Sequence, residues 1–292
     1  MLIGRLGLET ARVPHADRHG LVWLAYGNLY VRDGTLRFVA SASEFLDAGD
    51  YAVPFQAVSM ILLGPGSTVT HDALRLLARH GTGLVAVGEG GVRCYSAPPL
   101  MPDRSQLARR QVELWADERK GRPWVARRMY AWRFGEVLPH GDLDVLRGIE
   151  GARIKESYRA LAKKYGVPWA GRRYDRSRPE AADLPNQAIN HAATAIEGAA
   201  MIAVASTGTI PQLGFIHEDS GISFVLDIAD LFRTEVTVPV AFRAVRDITL
   251  GWQGPIERRV RQLMAETLRK EKVIPKMIDR IKELFGGGDR DP

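Results

Sequence analysis

The apolar residues of this chain change their spacing once, near Pro98 and Pro99. Before that point they come in short runs separated by glycine turns, which strands accommodate. From about Ser105 onward they recur every three to four residues, the spacing of one helix face. The pattern predicts an α+β protein: a small β-rich domain over residues 1–98, then a larger all-α domain over residues 99–292. In the first part GLVWLAYGNLYV and TLRFVA read as two strands joined at Asp33-Gly34, a strong hairpin dipeptide. VSMILL follows, then the turn GPGS and a helix that Thr70 caps and Gly81 closes. LVAVGEGGVRCYS reads as two more strands around a glycine turn. In the second part we expect helices over 105–120, 122–134, 142–165, 186–207, 222–233, 239–247 and 255–272, with Pro275 interrupting the last.

At 292 residues and 46% hydrophobic, the chain can bury a sizeable core. Cys94 is the single cysteine, so an intramolecular disulfide and a thiolate zinc cluster are both excluded, and a reducing cytoplasm fits. We find no signal-peptide core and no run of roughly 18 uncharged apolar residues, so we expect a cytoplasmic protein that does not engage a membrane. The net charge of +6 is unevenly placed. Residues 1–98 hold eight basic and eight acidic side chains, whereas residues 100–180 hold nineteen basic and eleven acidic. A one-sided field of this kind attracts polyanions, although a solvated helix surface has the same composition.

Two places set carboxylates among core residues. On the predicted helix 142–165 the apolar stripe runs Leu143, Leu146, Glu150, Ile154, Tyr158, so Glu150 points inward between Gly148 and Gly151. Each glycine costs a helix interior about 1 kcal/mol relative to alanine, and their smoothness lets a backbone or a ligand come close. The bland alternative pairs Glu150 with Arg147 or Arg153. The second place is GFIHEDSGISFVLDIADLFR, residues 214–233, where His217, Asp227 and Asp230 interrupt an apolar run. Ser220 or Ser223 can cap a helix here, with Asp227 and Asp230 three apart on one face. Like charges so placed are compatible if a cation or a basic partner neutralises them. A His, a Glu and one or two Asp form a mixed N/O set suited to Mg2+ or Mn2+. Beside so many Lys and Arg, such a site suggests phosphodiester chemistry. The other six histidines read as structural, and the glycines of VGEGG and GPGS lack phosphate-loop spacing.

RGIEG with Glu150, the downstream run YRALAKKYGVPWAGRRYD, and GFIH followed ten residues later by DIAD resemble the CRISPR-associated integrase of spacer acquisition, in the variant found with type I-E systems. LAYGNLYV, LLGPG and GEGGVRCYS extend the resemblance over most of the chain. It implies an N-terminal β domain, for dimerisation and DNA-end contacts, and a helical catalytic domain. It also implies a homodimer that joins a small ferredoxin-fold adaptation protein in a heterohexamer, acting on double-stranded and branched DNA. The implied reaction is transesterification: a 3′-hydroxyl of prespacer DNA attacks the leader-repeat junction of the CRISPR array. Metal-dependent endonuclease activity belongs to the same site. By the same resemblance Glu150, His217 and Asp230 match the metal ligands and Asp227 a further catalytic acid. Tyr26 matches an aromatic that wedges the duplex end, Arg93 a DNA-contacting arginine, and Tyr174 a residue near the motif-reading pocket, while Arg147, Arg153, Arg172 and Arg173 belong to the expected DNA-binding surface. Ser220, Leu226 and Thr68 depart from the pattern at DNA-contact positions. Two rival readings are a helical metal-dependent phosphohydrolase of nucleotides, and a non-catalytic DNA-binding scaffold whose acids pair with buried arginines.

Overall fold

The computed structural model describes residues 20–43, 46–95, 106–137, 142–173, 182–218 and 220–286. The expected boundary at 98/99 falls between described residues. The β-rich part opens with β1 (Leu21–Leu24), β2 (Gly27–Arg32) and β3 (Thr35–Ala40). The expected single strand over GLVWLAYGNLYV is two strands, because Tyr26 between them adopts a left-handed φ of 56° that turns the chain from one sheet into another. The Asp33-Gly34 hairpin forms as expected, pairing β2 and β3 antiparallel from Gly27↔Ala40 to Arg32↔Thr35. β4 (Gly49–Ala52) and β6 (Thr68–Val69) complete a sheet of order β4-β3-β2-β6. β5 (Met60–Leu63) and β7 (Gly83–Ala86) join β1 in a parallel sheet of order β1-β5-β7. Between β6 and β7 lies α1 (His71–His80), with Thr70 Oγ1 accepting from the Ala73 N–H and Gly81 ending it in the left-handed region. After β7 the second expected strand shrinks to one bridge, Val87 to Cys94, around a 3-10 turn at Glu89–Gly91.

The parallel sheet is buried on both faces, which explains why its strands are nearly continuous apolar runs. Val22, Leu24, Ile61 and Leu84 face a core shared with the other sheet and α1. Alternate residues Trp23, Met60, Leu62 and Val85 belong to a second core, which continues without a break through the helical part.

The helices are α2 (Leu107–Ala116), α3 (Gly121–Phe134), α4 (Leu143–Tyr165), α5 (Leu184–Thr207), α6 (Ser223–Asp230), α7 (Val238–Thr249), α8 (Ile256–Lys270) and α9 (Val273–Phe285). Pro275 does not interrupt a helix. It sits in the first turn of α9, where the N–H it lacks would have no intrahelical acceptor. The central element is α5, which packs against α6, α7, α8 and α9. By length and composition alone α5 could cross a membrane, but Glu197 interrupts it and its apolar faces form the middle of the helical core. The β part meets this core at the 3-10 turn, where a Cβ on Gly90 would overlap the Ala265 side chain of α8.

Candidate active site

Four elements bring charged side chains to one point. α3 contributes Arg133, α4 contributes Glu150, the loop before α6 contributes His217, and α6 contributes Asp227 and Asp230. α2 fixes that loop from beneath. The fully buried Gln111 donates to the carbonyls of Ile210 and Leu213 and accepts from the Ile210 N–H, and Trp115 donates to the Gly214 carbonyl. Gly214 is required by this tight approach, since a Cβ there would overlap the His217 carbonyl and the Ser223 side chain.

Asp227 and Asp230 do not share one role. Asp227 is fully buried, and its carboxylate accepts from the backbone N–H groups of Phe215, Ile216 and His217 at 2.6, 3.2 and 2.9 Å. It also holds His217 Nδ1 at 2.7 Å. The buried charge is thus matched by four partners from the loop it faces. His217 stands between the two aspartates, with Nε2 3.8 Å from Asp230 Oδ2. Serine capping of α6 is not found, since Ile222 is its N-cap residue; Ser220 and Ser223 instead bond to each other across the preceding turn. The helix ends at Asp230 rather than at the expected 233 and runs through a turn into a π segment, Arg233–Thr237.

The alternative pairing of Glu150 with Arg147 or Arg153 is not what forms. Arg147 pairs with Asp144 and reaches Glu218 and the Ile216 carbonyl, while Arg153 pairs with Glu136 and lies over the Phe134 ring. The partner of Glu150 is the nearly buried Arg133, which also lies 3.6 Å from Asp230 Oδ2. Arg233, one turn after Asp230, binds its other oxygen, with Nε at 2.9 Å. Among the described residues no atom lies within 4 Å of where a Cβ on Gly148 or Gly151 would stand, so none of those segments packs on them.

These surroundings move several protonation equilibria. Burial, with the charge of Asp230 adding to it, pushes the Glu150 carboxyl up against the opposing pull of Arg133. Glu197 on α5 is raised for the same two reasons. His217 is raised chiefly by its hydrogen bond to Asp227, against the cost of burial. The Tyr130 hydroxyl, one turn before Arg133, is pushed up to about 12 by burial and then by Glu150. Asp230 divides two cavities. One, about 530 Å³, is lined by Arg133, Glu150, Arg153 and Arg233 among others. The other, about 70 Å³, is lined by Arg172, Glu197, His217 and Leu226.

A family model described as CRISPR associated protein Cas1 matches residues 126–273. The CRISPR-associated endonuclease Cas1 of Escherichia coli (strain K12) is 37% identical over 281 residues, 96% of this chain and 89% of that protein. The chain belongs to the Cas1 family. The CRISPR-associated endonuclease Cas1 2 of Thermus thermophilus is 38% identical over 263 residues, covering 89% of this chain and 79% of its own. The fold agrees with a TtCas1-DNA complex at a TM-score of 0.83 and 33% identity, over 94% of this chain and 98% of that one. A casposase bound to integration product, at 16% identity and a TM-score of 0.66, shares the fold.

In this Cas1 family member the expected residues are distributed as follows. Glu150, His217, Asp227 and Asp230 come together, and Arg147, Arg153 and Arg172 surround them. Arg172 is held by Asn186 and Asn190 at 3.0 and 2.7 Å, and the backbone N–H of Arg173 donates to Asn186. Tyr26 and Arg93 line neither cavity: Tyr26 is exposed at the bend between the two sheets, and Arg93 lies 3.8 Å from Glu257 of α8. Thr68 Oγ1 donates to Asn28 across the two strands. Tyr174 lies outside the described residues. Sequence reasoning missed Arg133, Arg233, Tyr130 and Glu197, and two of them carry a signal. Arg133 continues the buried stripe Val125, Met129 of α3, and Glu197 is the one charged residue in the 24 of α5.

Proposed function

We propose that this chain is a divalent-cation-dependent DNA endonuclease and integrase of CRISPR adaptation, joining a DNA 3′-hydroxyl to a phosphodiester of the array by transesterification. The observation that carries the reading is the orientation of His217. Asp227 engages Nδ1, which leaves Nε2 as the free donor and aims it at Asp230, with Glu150 tied to the same Asp230 through Arg133. An imidazole nitrogen and two carboxylates from separate elements are donor types that suit Mg2+ or Mn2+, with Glu150, His217 and Asp230 as the residues that would hold it; among the described residues they are not gathered into a ready ligand cluster, because Arg133 bridges Glu150 and Asp230, and the ion would take the place of that guanidinium. When bound, the ion would polarise the phosphoryl group and offset developing charge. The chain's own contribution is to fix these donors from a rigid core and to line the larger cavity with Arg133, Arg153 and Arg233, whose guanidinium groups suit phosphate oxygens. The relatives are named CRISPR-associated endonucleases, and TtCas1 is a DNA-bound protein in its complex; both support a DNA substrate. A homodimer, and a hexamer with the small ferredoxin-fold adaptation protein, belong to the same proposal.

His217→Ala and Asp230→Ala should each abolish cleavage of branched DNA and strand transfer into an array-bearing plasmid, while duplex binding stays within a few-fold of the unaltered chain. Normal turnover by either variant in Mg2+ or Mn2+ overturns the proposed site. A non-catalytic scaffold is a second reading, favoured by the ion pairs of Arg133 and Arg233 with the site acids. Mn2+ titration followed by thermal unfolding separates the two, because a scaffold gains no stability from the ion.

A further inference from the structure

The guanidinium groups that line the larger cavity are already engaged with acids. Arg153 pairs with Glu136 at 2.7 Å, Arg233 holds Asp230, and Arg133 holds Glu150 while lying 3.6 Å from Asp230. A phosphate entering this cavity must therefore draw an arginine away from a carboxylate. Arg133 is the one placed between the two carboxylates proposed to hold the cation, so it loses both partners when they are taken. Its side chain is 6% exposed and rises from the face of α3 that buries Val125 and Met129, where water does little to weaken the pairing.

We propose that Arg133 is an internal counter-ion that Mg2+ or Mn2+ must displace, and that the displaced guanidinium takes a phosphate oxygen in the same cavity, so that cation and DNA strengthen each other's binding. The inference rests on the metal-dependent reading above and adds the residue through which the two ligands are coupled. Glu150 and Asp230 are like charges from separate helices, and positive charge must stand between them in either state. A guanidinium and a divalent ion cannot both occupy that position. Once freed, Arg133 still lines the cavity, and a phosphate offers it the same pair of oxygens that a carboxylate does. Its flexible stem permits the exchange while Val125, Ala126 and Met129 keep α3 fixed in the core. Linkage makes the effect reciprocal: the factor by which DNA raises cation affinity is the factor by which the cation raises DNA affinity. Without DNA the acids stay neutralised by the chain's own arginine, and the site is completed only when a phosphate arrives.

The test is Mn2+ binding to the full chain, read from the paramagnetic resonance of free Mn2+, with and without a short DNA duplex. The His217→Ala chain with the same duplex supplies the background of ions held by DNA alone. The unaltered chain should bind Mn2+ about five- to a hundredfold more tightly with the duplex present. Arg133→Met, which keeps the stem and removes the charge, should without DNA bind Mn2+ about five- to a hundredfold more tightly than the unaltered chain. The duplex should then add less to it than to the unaltered chain. Arg133→Lys, which keeps a cation in place, should stay close to the unaltered chain in both conditions. If circular dichroism shows Arg133→Met to be unfolded, Arg133→Gln replaces it with the same expectation. The proposal is overturned by unchanged or weaker Mn2+ affinity on removal of the charge, by an equal duplex effect in both chains, or by Lys behaving as Met does. Absence of any Mn2+ binding sinks the metal-dependent reading together with this one, whereas Mn2+ binding indifferent to Arg133 sinks this one alone.

Discussion

Asp227 and Asp230 are the same residue type three positions apart, yet one is spent on a loop and the other on a cavity. Asp227 gives its oxygens to three backbone N–H groups and the His217 ring, so its removal should disturb the position of His217 first. The raised His217 pKa fixes the sign of a pH effect. A histidine whose folded pKa lies above its ordinary value of 6.5 contributes stability that is fully present below 6.5 and lost as pH rises through the raised value. The unaltered chain should therefore show a fall in Tm above about pH 6.5, and Asp227→Asn should flatten that slope; an unchanged slope in thermal scans across pH would remove Asp227 as the cause. At this scale the sequence made the acids legible because carboxylates in apolar runs stand out. The arginines that neutralise them were less so: Arg133 shares a stripe with Val125 and Met129, which marks it as inward-facing, but only the neighbouring α4 shows that its partner is Glu150.

At the scale of elements, α4 carries the least explained cost. Gly148 and Gly151 weaken its interior, and neither is needed for packing or for a special backbone angle. Gly151→Ala should stabilise the chain by about 1 kcal/mol in urea titration. If DNA runs along this face, the same variant should lose DNA affinity, and stabilisation without that loss would leave the glycine unexplained. Helix positions were legible in the sequence because period 3.6 is sustained over many residues, as in α4 and α5. The ends were less so. The break after Asp230 depends on a π segment, and the split of β1 from β2 depends on one left-handed residue, Tyr26, whose side chain gives no hint of that angle. The missing strand after β7 follows from the same limitation: VRCYS has strand composition, but only one bridge partner is available to it.

For the whole molecule, the change of spacing near Pro98 separates two kinds of secondary structure, while the parallel sheet contributes one face to each of two cores. Met60 is held between them, with its sulfur 3.4 Å from Ser206 Oγ on α5. Met60→Ala should cost about 2–5 kcal/mol, and calorimetry should record a single transition for the unaltered chain; two separated transitions would show the cores to be independent. Because Met60, Leu62 and Val85 are the floor of the helical core, a gene fragment encoding only the helices would leave that floor as bare apolar surface. Lineages exchanging parts of this chain by recombination are therefore constrained to move the three-stranded sheet together with the helices, and a crossover between β1 and the helices would divide that sheet from the core it floors.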